Sequence, residues 1–222
     1  MCGRYRFSQA ERFAELNEIR LGGIFPARFN IAPTQRAAIV FDESPGVVAE
    51  AQWGLVPSWA KDRKIASSLI NGRVETVETK PAFRAAYKRR RCLVPADGFY
   101  EWKQTGDAVK VPHHIGMTNG EPFAFAGLWE VWSDPAAAEA EPLRTYTILT
   151  GAPNELVASL HNRMPVIIPR SQYAAWLSPA TTPEERRAML VPFPAEAMTA
   201  YAISTRVNSP RIDDVQIIEP LC

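Results

Sequence analysis

Cysteine and histidine are both scarce, at three residues each in a chain of 222. Cys2, Cys92 and Cys222 are widely separated and odd in number, which argues against a disulfide framework and a cysteine-based zinc site and fits a reducing cytoplasm. His113 and His114 are adjacent on a predicted strand, so they point oppositely, make a poor metal pair and leave at most one facing any site. Nothing in the composition calls for a metal or another cofactor. Long apolar runs are missing too: none approaches a membrane span, and Arg4, Arg6, Glu11 and Arg12 interrupt any secretory core near the start. The chain is therefore expected to stay where it is made, in the cytoplasm and off the membrane. There is no internal repeat and no glycine-rich phosphate loop. With 46% hydrophobic and 22% charged residues, the chain suits one substantial core, and a single domain over 1–222 is expected.

The net charge of +1 conceals an asymmetry. Between Lys61 and Arg91 stand ten Lys/Arg and three Asp/Glu, while residues 1–60 balance at zero. Such a segment permits nucleic acid as a partner without requiring it. The run Lys88-Arg89-Arg90-Arg91 also reads as the solvated, dipole-favoured end of a helix.

Ser8 with Glu11 three residues later forms a capping-box pattern ahead of Ala10, Phe13, Ala14 and Leu16, which predicts a short amphipathic helix. Ala37 to Phe41 and Val47 to Leu55 flank a turn-forming loop and predict a hairpin. Phe83, Ala86 and Tyr87 after Pro81 predict a helix that ends before Leu93. Further strands are expected at Gly98 to Lys103, Val109 to Met117, Phe123 to Trp132, Thr145 to Thr150, Pro165 to Ile168 and Thr199 to Ser204. Helices are expected near Pro153, after Ser171 and after Thr182, where Glu185 completes a second capping box. Pro135 to Pro142 reads as a surface insertion. The implied architecture is α+β, with a mainly antiparallel, curved, barrel-like sheet and flanking helices.

The most informative residue is Cys2. Removal of Met1 would leave a 1,2-aminothiol, whose amine condenses with an aldehyde while the sulfur closes a five-membered thiazolidine. An α-amino group with a pKa of about 7.8 is roughly one-third neutral at pH 7.5, so it is nucleophilic without a special pocket. Four other segments supply residue types that such chemistry needs. Asn71-Gly72-Arg73 sets an amide and a guanidinium two residues apart, on one face if extended, although a structural turn explains the motif about as well. Glu101 sits between Tyr100 and Trp102 and faces either solvent or a cavity; in a cavity its raised pKa suits proton transfer. His161, before Asn162-Arg163-Met164-Pro165, either shuttles protons in a cleft or caps and packs a helix end. Trp53 reads as core, and Trp59, on a proline-containing loop, as a surface platform for an unpaired base.

Taken together, Met1 to Tyr5, Phe29 to Thr34, Trp53 to Asp62, Asn71 to Thr76 with Pro81 to Arg84, Arg91 to Trp102, Ala126 to Trp129, His161 to Val166 and Ser204 to Asn208 resemble the SRAP family, named for an SOS-response-associated peptidase. The segments stand in family order and span nearly the whole chain. The resemblance implies a protein that senses abasic sites in single-stranded DNA, junctions with duplex included, and captures them through Cys2, shielding the lesion during the response to DNA damage. It carries over Asn71, Glu101 and His161 as the polar residues around that cysteine, and Arg4, Pro33, Trp59 and Arg73 as residues that hold or wedge the DNA. A strand-cleaving lyase side reaction and a monomeric state are also expected. Gly72 stands where the family often has alanine. The rival expectation is a cysteine peptidase or self-processing amidohydrolase that uses Cys2 with His161.

Overall fold

The structure is a computed structural model that describes residues 2–106, 110–137 and 139–221. In chain order its strands and helices are β1 (Tyr5–Phe7), α1 (Ala10–Leu16), β2 (Arg20–Leu21), β3 (Arg28–Ile31), β4 (Arg36–Phe41), β5 (Val47–Trp53), β6 (Asn71–Arg73), α2 (Arg84–Arg89), β7 (Arg91–Ala96), β8 (Gly98–Gln104), β9 (Lys110–Met117), β10 (Phe123–Trp132), β11 (Leu143–Gly151), α3 (Glu155–Ala158), β12 (Met164–Pro165), β13 (Ile167–Ile168), α4 (Tyr173–Leu177), α5 (Pro183–Met189) and β14 (Met198–Ala202). Among the described residues a five-stranded sheet runs β14-β9-β8-β1-β3. A nine-stranded sheet runs β12-β11-β10-β7-β4-β5-β2, with β13 on β10 and β6 on β11. Most pairings are antiparallel; β11 with β5, β11 with β6 and β2 with β5 are parallel. The result is the α+β, barrel-like arrangement of strands with short outer helices.

The two sheets meet across one aromatic core. Tyr5 from the smaller sheet packs edge-on against Trp53 and Phe125 of the larger one, and Phe99 does the same against Phe125. All four rings are fully buried. Strand alternation explains this: Tyr5 pairs with Phe99, so both rings leave the same face of the sheet. The opposite face carries Tyr100, which packs with Ile203, Val207 and Ile217 in a satellite cluster.

The hairpin, the helix over residues 84–89 and the strands from Gly98 onward lie where the periodicity places them, the predicted Val109 excepted, which is outside the described residues. The surface insertion at Pro135 to Pro142 includes Ala138, also outside them. The capping box at Thr182 and Glu185 forms as read. The one at Ser8 does not, because the backbone N–H and the hydroxyl of Ser8 both donate to Asp97 Oδ2, at 2.9 and 2.7 Å. Gln9 takes the N-cap position without a side-chain capping bond. The basic run is also split: Lys88 and Arg89 are exposed, but Arg91 is buried. Its guanidinium donates to the carbonyls of Trp176, Ser178, Tyr87 and Lys88, tying α2 and α4 to β7. No helix among the described residues is long and apolar enough to cross a membrane.

Candidate active site

Cys2 lies three residues before the start of β1, and that segment is fixed from both faces. Inward, the Tyr5 and Tyr146 hydroxyls hydrogen-bond at 2.7 Å. Outward, Arg4 Nη1 donates to Asn30 Oδ1 at 2.8 Å and to the Val207 carbonyl at 2.7 Å. Arg4 is thus engaged within the protein, bracing the strand that carries Cys2. The Cys2 side chain is fully buried and its carbonyl accepts from Asn71 Nδ2 at 2.7 Å.

Asn71 reaches Cys2 because β6 runs parallel to the end of β11, with Asn71 opposite Ile148 and Arg73 opposite Thr150. Gly72 between them turns toward Leu149 and Phe83, and a Cβ there would stand 3.0 Å from Leu149 Cδ2. The extended geometry therefore sends Asn71 and Arg73 to the same face. Asn71 Oδ1 is buried and has no hydrogen-bond partner among the described residues. An acceptor held that way can receive a hydroxyl.

Glu101 is only 2% exposed, so it points into the protein and not to solvent. Burial pushes its pKa up to about 7, with Lys110 pulling against the rise. Burial also pushes the Cys2 thiol well above its ordinary range, and the Glu101 carboxylate adds to the effect. The two groups therefore feel each other's charge. Together they form a protonated thiol beside a carboxyl group that is near half-protonation at neutral pH.

His161 follows α3, where its N–H bonds the Val157 carbonyl at 2.8 Å. Its pKa is lowered, chiefly by burial, with Lys110 among the smaller causes. Lys110 thus acts electrostatically on both Glu101 and His161. The Arg163 N–H lies 3.1 Å from His161 Nδ1 and the Arg163 carbonyl 3.3 Å from the same atom. When Nδ1 accepts from the amide, the ring proton sits on Nε2. Arg163 is held by a two-pronged ion pair with Glu75 at 3.0 and 2.9 Å and by the Thr150 carbonyl at 2.6 Å. Sequence reasoning passed over Arg163, Glu75, Thr150 and Lys110. The available signal was position: Glu75 is two residues after Arg73, and Arg163 two after His161.

A groove of about 660 Å³ opens beside Asn71 and Arg73, lined also by Ser68, Ile70, Thr76, Thr79, Lys80 and Pro81. Arg73 is exposed. Across the loop after β5, Trp59 is 61% exposed, whereas Trp53 is fully buried. Pro33 is half-buried and precedes Thr34, whose φ of 70° marks a tight turn. A second cavity of about 460 Å³ lies there between Thr34, Gln52, Arg63 and Lys64. The structure thus brings Cys2, Asn71 and Glu101 together, joins His161 to them through β11 and Arg163, and places Arg73 on the adjoining groove. Pro33 and Trp59 stand on separate loops.

Comparison with known proteins matches this architecture. The family model of SOS response associated peptidases (SRAP) matches residues 1–210. The abasic site processing protein YoqW of Bacillus subtilis is 40% identical over 225 residues, covering 99% of each chain. The abasic site processing protein HMCES of Gallus gallus is 34% identical over 203 residues, covering 81% of this chain and 59% of that protein. A crystal structure of a Bacteroides thetaiotaomicron protein superposes over the full length of both chains with a TM-score of 0.90 at 27% identity. On this sequence and structural evidence the chain belongs to the SRAP family.

Proposed function

We propose that the chain, acting as one domain over 1–222, processes abasic sites in single-stranded DNA by capturing the sugar aldehyde on Cys2 once Met1 has been removed. The observation that supports this reading best is the burial of Cys2 and Glu101 together, with the Cys2 carbonyl held by Asn71 Nδ2; burial raises the pKa of both the thiol and the carboxyl group. Glu101 can give a proton in one step and take one in the next at the same pH.

The sequence of steps follows from these groups. The abasic sugar opens to its aldehyde, with its hydroxyl received by Asn71 Oδ1 and a donor hydrogen bond from His161 Nε2. The Cys2 amine adds to C1′ and gives a carbinolamine. Protonated Glu101 donates to the departing hydroxyl, water leaves, and the protonated imine forms, its nitrogen keeping one hydrogen. The thiol then adds to the imine carbon while its proton passes to the Glu101 carboxylate and the C=N electron pair moves to nitrogen. The product is a thiazolidine, and one water is lost overall. The amine acts first because burial disfavours the thiolate. Without the sulfur, the imine acidifies C2′, and Glu101 becomes the base for strand cleavage.

Arg73 and Lys80 on the groove are suited to phosphates, and exposed Trp59 to stacking an unpaired base, with Pro33 as a wedge where duplex begins. A flexible single strand delivers the sugar without the cost of unpairing. A peptidase would need a thiolate paired with an imidazolium; here burial raises the Cys2 thiol and lowers His161, both against that pair. The test is a denaturing gel with three single-stranded oligonucleotides: abasic, intact, and one bearing a ring analogue that cannot open to an aldehyde. Only the abasic strand should yield a covalent band, and Cys2→Ala should abolish it. Equal bands from the ring analogue would rule out aldehyde capture.

A further inference from the structure

The geometry points to His113 as the proton relay between solvent and Glu101, an inference that rests on the capture chemistry above. Strands β8 and β9 pair Glu101 directly with His113, so their side chains leave the same face of the sheet as nearest cross-strand neighbours. Glu101 is 2% exposed, whereas His113 is half-buried and borders solvent. The thiol returns to Glu101 the proton that the departing hydroxyl takes, so exchange with solvent is needed to load a buried carboxylate before that step.

The ring is oriented for that task. His113 Nδ1 lies 3.0 Å from the Val111 carbonyl, which can only accept, so the neutral ring carries its proton on Nδ1 and leaves Nε2 as a base. This is the opposite tautomer to the one that the Arg163 amide favours at His161. The two histidines thus divide the work, His161 donating toward the sugar and His113 taking a proton from water for the carboxylate. In the relay, water protonates His113 Nε2 and forms an imidazolium whose Nδ1–H stays on Val111. The Nε2 proton then passes to the Glu101 carboxylate, and the neutral ring is restored. Glu101 thus holds its proton before the hydroxyl departs, and the thiol returns it when the ring closes.

The charged surroundings favour transit over trapping. On β8 the same face carries Glu101 and Lys103, and Lys110 at the start of β9 acts on Glu101. On the other side β14 places Ala202 opposite His113, which contributes no charge.

The test uses the full chain with His113→Phe and His113→Gln, the second keeping a polar side chain that cannot carry a proton. In the protein alone, ring ¹⁵N shifts of His113 should report Nδ1–H; a proton on Nε2 would overturn the relay. In single-turnover capture of an abasic oligonucleotide between pH 5.5 and 8.5, both variants should form the adduct about tenfold more slowly, less than the roughly hundredfold or greater loss of a group that itself transfers the proton. Their rates should depend on buffer concentration and recover with added imidazole. Unchanged rates and pH profile in the variants, with the wild type capturing normally, would refute the relay alone. No adduct from the wild type would refute the capture reading and the relay with it.

Discussion

Glu101→Gln should stabilise the protein while disabling it, and the gain should depend on pH. The carboxyl group is buried, and burial raises its pKa from 4.5 to about 7. The folded state therefore binds the proton more tightly than the unfolded chain, in which the group titrates normally. The sign follows directly: stability is highest below the unfolded value, falls as pH rises from 4.5 to about 7, and is flat above it. At about 1.4 kcal/mol per unit, the rise amounts to about 3 kcal/mol withheld from the wild type at pH 8. Glutamine has nearly the shape of the protonated form and no charge to desolvate, so it escapes that cost. The variant should gain about 3 kcal/mol at pH 8 and little at pH 5. For a chain of this length the gain at pH 8 corresponds to roughly 6–12 °C in melting temperature. Thermal unfolding of both proteins across the pH range measures it directly, and adduct formation by the variant should fall by at least about a hundredfold. An equal effect at pH 5 and pH 8, or a loss of stability at pH 8, would refute the claim that Glu101 is held at an energetic cost.

The remaining predictions concern the frame around the site. His114 is buried and its pKa is pushed down to about 3, chiefly by burial, so its contribution is intact above its ordinary value of 6.5 and lost as pH falls toward 3; His114→Phe should remove that part of the acid sensitivity, read from urea unfolding at pH 7 and pH 4. Gly98→Ala should destabilise by about 1–3 kcal/mol, because the added Cβ would stand 2.2 Å from His114 Nε2, and an unchanged urea midpoint would contradict the packing. Arg91→Met should cost at least about 3 kcal/mol, since four carbonyls lose their donor at once; soluble yield and melting temperature check this. Glu75→Gln releases one arm of the Arg163 clamp and should move the His161 titration, followed by ¹H NMR, while leaving the melting temperature within about 2 °C, as expected for a half-exposed ion pair.

How much of this was legible in the sequence depended on the range over which each contact acts. The box at Thr182 was readable because cap, Pro183 and Glu185 are all local. The same pattern at Ser8 misled because Asp97, far along the chain, provides a stronger acceptor. Arg91 read as a solvated helix end, and only the fold brings the Trp176 and Ser178 carbonyls around it. The short strands β1, β3 and β6 carry too few residues to show a period, and they exist through pairing with distant partners. The site divides in the same way. Cys2, Asn71, Glu101 and His161 stood out by chemical type and motif. Glu75 and Arg163 did not, because their role arises from a contact between segments 88 residues apart. The alternation around Tyr100, Glu101 and Trp102 left two orientations open, and burial in the folded chain selects one.

Capture depends on Cys2, as the amino terminus once Met1 is removed, closing a ring with the abasic aldehyde. Intact-protein mass spectrometry before and after incubation with a single-stranded oligonucleotide bearing one abasic site tests it most directly, with proteolysis to locate the adduct. Loss of Met1 is expected, then a species equal to protein plus oligonucleotide minus one water, with the mass on the Cys2 peptide and absent in Cys2→Ala. A demethionylated protein that stays unmodified, or an adduct on any other residue, would contradict it.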